Sequence, residues 1–198
     1  MSFEAAYQDT QHLDTHGYRI LRGAVPHHAT QAAQRRLWHE ITRGQVTQHA
    51  WTLWHEDRCW FPALRHEPEI LALETYIPTN YTHGQRAEPQ ILWQPPDEAT
   101  TWPLELHIDE PPPWADGRQY RTIVCVALTS QHATAPGRTF LHTGNGGLVL
   151  QDRDGKVVAP ELSAGDLLVM HPQTPHSGTL NSGDTLRAAV YLRYLEGA

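Results

Sequence analysis

His107 and Asp109 stand two residues apart in Leu104-Glu105-Leu106-His107-Ile108-Asp109, a stretch that alternates apolar and polar side chains. On a strand, residues i and i+2 point to one face. The spacing therefore sets an imidazole beside a carboxylate and sends Leu106 and Ile108 the other way. One more histidine would complete a facial set of three ligands. Two histidines and a carboxylate, with the remaining positions open, are the donor set of non-haem Fe(II) oxygenases. The segment from Gly165 to Gly178 offers two candidates for the third ligand, His171 and His176.

Arg187 follows inside the last apolar strand pattern of the chain. An arginine buried in a barrel needs an anionic partner, and its planar fork suits a carboxylate. The dicarboxylic acid 2-oxoglutarate would offer one carboxylate to the iron and the other to Arg187. Gln94, on the strand before His107, is a further candidate for the cosubstrate. It is equally a solvated strand end before Pro95-Pro96.

These residues need a scaffold, and the pattern of the chain predicts one that is mainly β with a helical N-terminal layer. Ala33, Leu37 and Ile41 recur at four-residue spacing within Ala29–Arg43, an amphipathic helix. A second helix is expected over Pro68–Tyr76, with its proline at an early position and Pro78 beyond its end. After about Gln85 the chain changes character. Short runs rich in Val, Ile, Leu, Thr and Tyr are punctuated by Gly, Pro, Asn and Asp, which predicts a sandwich or closed barrel. The predicted strands are Gln90–Gln94, Leu104–Asp109, Thr122–Leu128, Thr139–His142, Gly147–Gln151, Lys156–Val158, Asp166–His171 and Leu186–Tyr194. Asp152-Arg153-Asp154-Gly155 reads as a hairpin turn. No repeat or linker divides the chain, so residues 1–198 are expected to form a single domain, with 1–84 as mainly helical support and 85–198 as the β core.

Composition narrows the partners. A 198-residue chain with 39% hydrophobic and 19% charged residues has enough apolar surface for one full core. A net charge of −7 argues against binding a phosphate backbone. No run approaches the roughly 18 apolar residues of a membrane span. Residues 1–9 are polar and acidic, unlike a signal peptide, so a cytoplasmic protein is expected. Cys59 and Cys125 have no metal-ligand spacing, whereas 14 histidines are present, so a metal site would use imidazole and carboxylate.

In order and spacing, these motifs resemble the phytanoyl-CoA dioxygenase-like family of Fe(II)/2-oxoglutarate-dependent oxygenases. Gly17-Tyr18-Arg19-Ile20-Leu21 through Pro26 is similar to that family's opening strand, and His66-Glu67-Pro68-Glu69-Ile70-Leu71 to its helix before the barrel. His107-Ile108-Asp109 matches its His-x-Asp motif. Gly165-Asp166 through His176, with Asn181 and Arg187, matches its C-terminal motif. The resemblance implies a double-stranded β-helix (a jelly-roll or cupin-like barrel) and selects His176 over His171 as the distal ligand. It implies Fe(II) held by His107, Asp109 and His176, with Arg187 pairing with the far carboxylate of 2-oxoglutarate. The activity implied is hydroxylation of a small molecule by O2, with release of succinate and CO2. Asp109 argues against halogenation, because related halogenases carry a small residue there. Other expectations compatible with the residues are a cupin-like metalloenzyme that does not use 2-oxoglutarate, and a non-catalytic metal- or small-molecule-binding domain. Trp51, Trp54 and Trp60 are expected mainly to pack the helical layer onto the barrel, and otherwise to line an entrance. Glu110, Trp114 and Asp116 lie in a Pro-rich loop that borders the site in the family. Asn181 is expected to fix the turn after His176.

Overall fold

The computed structural model describes residues 13–42, 64, 66–87, 89–94, 106–109, 116–132, 146–179, 181 and 183–197. Trp51, Trp54, Trp60, Glu110, Trp114 and the predicted strand Thr139–His142 lie outside the described residues. Among the described residues, two antiparallel sheets form the body. The larger joins β1 (Tyr18–Leu21), β7 (Leu167–Met170), β4 (Tyr120–Ala127), β9 (Arg187–Leu195) and β2 (Gln85–Arg86) in that order, with β3 (Gln90–Gln94) also paired to β9. The smaller is β6 (Val157–Val158), β5 (Leu148–Gln151) and β8 (His176–Gly178).

The two-residue period of the central strands builds two cores. On β4, Val124 and Val126 face one way with Leu167 and Val169 of β7 and Val190 and Leu192 of β9. They pack against Ala29, Ala33 and Leu37 of helix α1 (His27–Thr42). The alternate residues Ile123, Cys125, Leu168, Met170, Ala189 and Tyr191 pack against Leu148 and Leu150 of the smaller sheet. A strand covered on both faces reads as a continuous apolar run, as Ile123–Ala127, Leu167–Met170 and Ala188–Leu192 do. Arg187 and Arg193 share parity with Ala189 and Tyr191 and so belong to the inner face.

Helix α1 starts where Pro26 supplies the carbonyl that accepts from Ala29 and Thr30. The predicted second helix divides. Its α-helical part, α2, covers only Pro68–Leu71, and a 3₁₀ turn continues over Ala72–Tyr76. Pro78 disfavours an α conformation at Ile77, which is extended, and the last turn tightens accordingly. The predicted strand over Leu104–Asp109 is also corrected. Of its described residues, 106–109, only His107 pairs, as an isolated bridge to His176.

One glycine is fixed by geometry. Gly165 has φ +92, and a Cβ there would lie 2.5 Å from the Val25 carbonyl oxygen. The next residue, Asp166, is buried and accepts from the Gly23 and Ser163 amides at 2.8 and 2.9 Å and from Arg22 at 2.6 Å. This junction ties the end of β1 to the start of β7. We expect Gly165→Ala to lower stability by about 1–3 kcal/mol, from backbone strain and the clash together. A urea midpoint equal to wild type would contradict this.

Candidate metal centre

His176 is the first residue of β8, where its Cα pairs with Leu150 of β5. Two prolines, Pro172 and Pro175, interrupt the chain between β7 and β8. Thr174, between them, is pinned by its hydroxyl to the Gly17 carbonyl at 2.5 Å. The Thr174 carbonyl in turn lies 3.0 Å from His176 Nδ1. A protonated Nδ1 donates there, which fixes the ring and leaves Nε2 as the lone-pair nitrogen for an ion.

His107 reaches the same place through the backbone. His107 and His176 exchange both N–H···O=C bonds, each 2.9 Å, and their rings sit 4.7 Å apart. Asp109 follows two residues on, while Ile108 between them is exposed. Asp109 Oδ1 is 3.7 Å from His107 Nε2 and 3.6 Å from His176 Nε2. Ligand atoms from all three residues lie within 4.8 Å of one another. An ion with bonds of about 2.1 Å places adjacent donors about 3 Å apart, so a small side-chain contraction suffices. Two nitrogens and one carboxylate oxygen suit Fe(II) among other divalent metals.

Burial would push the Asp109 carboxyl up. His176 and the Arg193 guanidinium outweigh it and hold the group well below the usual carboxylate range. Asp109 is therefore an ionised donor at neutral pH. Arg193, on β9, grips the other oxygen: its Nε and Nη2 lie 2.6 and 2.5 Å from Asp109 Oδ2. Sequence reasoning missed this residue. The signal was present, because Arg193 lies six residues after Arg187 on one strand and so shares its inner face. A second inward arginine needs an anion of its own.

Arg187 is 1% exposed and opens β9 opposite Gln94 of β3. Its Nη1 donates to the Thr179 carbonyl at 3.1 Å, just past β8. A Cβ on Gly178 would lie 3.7 Å from the same nitrogen, so Arg187 rests against the strand that carries His176. Gln94 is placed by its backbone at the end of β3. Cys125 pairs with Tyr191 across the β4–β9 ladder. Burial pushes its thiol up to about 11, which keeps it neutral and a poor ligand.

His171 is not part of the cluster. Its backbone amide donates to the Gly17 carbonyl, and its Nδ1 accepts from the Gln173 amide at 3.2 Å. Asn181 holds the turn before β9, donating to the Thr185 carbonyl at 2.7 Å and accepting from the Gly183 amide at 3.2 Å. Asp116 sits exposed in a left-handed turn with Gly117. A cavity of about 590 Å³ opens beside Asp109, walled by Asp14, Asn80, Tyr120, Arg121 and Glu196 among others.

No protein-family model matches the sequence, and no curated protein sequence matches it. Solved structures do match. The non-haem α-ketoglutarate-dependent epimerase SnoN from nogalamycin biosynthesis superposes with a TM-score of 0.63 at 16% identity, over 98% of this chain and 82% of that one. HygX from Streptomyces hygroscopicus, solved with nickel and 2-oxoglutarate, gives 0.61 at 12% identity over 98% and 86%. A Pseudomonas putida prolyl-4-hydroxylase gives 0.57 at 18% identity over 98% and 96%. The chain therefore shares the mainly β fold of these structures. Among the described residues, no helix is long and apolar enough to cross a membrane.

Proposed function

We propose that this chain is an Fe(II)- and 2-oxoglutarate-dependent oxygenase that hydroxylates a small molecule. The observation that carries the reading is the cluster itself. Two histidines and an aspartate from segments far apart in sequence converge within 4.8 Å, in a fold shared with enzymes whose structures hold iron or nickel and 2-oxoglutarate. The finer readings belong to the same proposal. They are a double-stranded β-helix spanning residues 1–198 as one domain, and kinship with the phytanoyl-CoA dioxygenase-like family.

In this reading His107, Asp109 and His176 hold the iron, and Arg187 receives the far carboxylate of 2-oxoglutarate. Bound there, iron and 2-oxoglutarate supply the oxidative power of O2, with release of succinate and CO2. The protein's own work is placement. Thr174 keeps the His176 ring turned toward the ion, and the paired backbones of His107 and His176 keep both rings together. The buried guanidinium of Arg187 provides a fixed, dry, cationic anchor for a dianion. That anchor favours this reading over a cupin-like centre without 2-oxoglutarate, which has no need of a buried arginine there.

The test is turnover of 2-oxoglutarate by the purified chain, because such enzymes form succinate slowly even without substrate. Succinate should appear only with Fe(II) and O2 both present, and O2 uptake should match it. O2 uptake without succinate would contradict the proposal.

A further inference from the structure

Resting on that metal-binding reading, we infer that Arg193 is a positioning residue that makes Asp109 a one-oxygen ligand and so keeps the neighbouring coordination position open. Both ties from Arg193 go to one atom: Nε and Nη2 lie 2.6 and 2.5 Å from Asp109 Oδ2. The other oxygen, Oδ1, is the one that faces the imidazoles, 3.7 Å from His107 Nε2 and 3.6 Å from His176 Nε2. A carboxylate left to itself can bind an ion through one oxygen or through both. Here Oδ2 is committed to a charge-assisted hydrogen bond from Nε and a close ionic contact with Nη2 of one guanidinium, so Oδ2 no longer competes as a donor.

The consequence is a count of open positions. An octahedral ion held by three single-atom ligands keeps roughly three positions free. A chelating Asp109 would close one of them, and a two-atom cosubstrate plus O2 would no longer fit together. Charge works in the same direction. The guanidinium offsets the aspartate, so the centre stays more positive toward dianionic 2-oxoglutarate.

The clamp is well fixed. Arg193 lies on the nine-residue strand β9 with its Cα opposite Ile123 of β4, and it is 8% exposed. Its guanidinium carbon sits 5.7 Å from the centroid of the Tyr191 ring. The planar fork keeps its donors in one plane toward Oδ2. Arg187 and Arg193 then serve the two ends of one face: Arg187 anchors the cosubstrate and Arg193 orients the ligand.

The test counts water on Mn(II) bound to the full chain, read from the broadening of its electron paramagnetic resonance lines in ¹⁷O-enriched water. Wild type should show roughly three metal-bound waters. R193M should still bind Mn(II) but show roughly two, and should need about tenfold more 2-oxoglutarate to displace water, the usual scale for losing a partner of a metal ligand. R193K, which keeps a cationic donor, should return the wild-type count. If R193M does not fold by circular dichroism, R193L, which also lacks a donor, is read the same way. A variant that binds Mn(II) with the wild-type water count would overturn the inference, and so would a folded variant that no longer binds Mn(II). Failure of wild type itself to bind Mn(II) would sink the underlying metal reading instead.

Discussion

Replacing His176 with alanine is expected to abolish Fe(II) binding and to cut Fe(II)-dependent succinate formation at least about a thousandfold. The loss of a metal centre forfeits several kcal/mol of charge stabilisation, and each 1.36 kcal/mol is about a factor of ten in rate. The effect should come from the lost ligand rather than from unfolding. The ring's hydrogen bond to the Thr174 carbonyl is lost as well, which costs about 1–3 kcal/mol, a fraction of the 5–15 kcal/mol of a typical domain. His171→Ala is the matching control. His171 stands outside the ligand cluster and bonds to the Gln173 amide, so that variant should keep iron and turnover. Calorimetric titration with Fe(II) under argon, beside urea unfolding, separates these outcomes. Iron lost in His171→Ala and kept in His176→Ala would reassign the distal ligand.

The second large effect is expected at Arg187. In the proposed reading Arg187→Met removes a buried charge that would meet the cosubstrate's far carboxylate, and truncating one partner of such a pair costs about 2–5 kcal/mol. The concentration of 2-oxoglutarate needed for half-saturation should rise roughly thirtyfold or more, while Fe(II) affinity alone stays near wild type. The variant also loses the hydrogen bond from Arg187 to the Thr179 carbonyl, which costs about 1–3 kcal/mol. Iron affinity near wild type with weak cosubstrate binding distinguishes an anchor from a structural ion pair. A matched loss of stability and of iron binding would point to the structural role.

Much of this arrangement was legible in the sequence. The central strands of the larger sheet were readable because both of their faces are buried, so Ile123–Ala127, Leu167–Met170 and Ala188–Leu192 appear as apolar runs. The members of the cluster were readable as candidates: His107 and Asp109 from chemistry and spacing as an i, i+2 pair, and His176 as one of two histidines in the segment before β9. Arg187 was readable as a charge inside an apolar run.

The elements that escaped share a physical cause. β8 is only His176–Gly178, follows two prolines and carries no β-branched residue, so nothing local marks it; its pairing with β5 creates it. The stretch around His107 looks like a strand by alternation, yet its described part pairs through a single bridge, because its partner β8 is equally short. The 3₁₀ ending after α2 depends on Pro78 rather than on any change in helical pattern. Arg193 escaped because its reason for being buried, Asp109, is 84 residues away in the chain.

The most direct test of the central claim is an anaerobic titration of the apo-protein with Fe(II), followed by 2-oxoglutarate, watched in the visible spectrum. Chelation of Fe(II) by 2-oxoglutarate produces a weak metal-to-ligand charge-transfer band that neither partner shows alone. The account predicts that the band forms in wild type, is absent in His176→Ala, and needs far more 2-oxoglutarate in Arg187→Met. Tight Fe(II) binding with no band on adding 2-oxoglutarate would contradict the cosubstrate assignment, and no Fe(II) binding by the wild-type protein would contradict the metal centre itself.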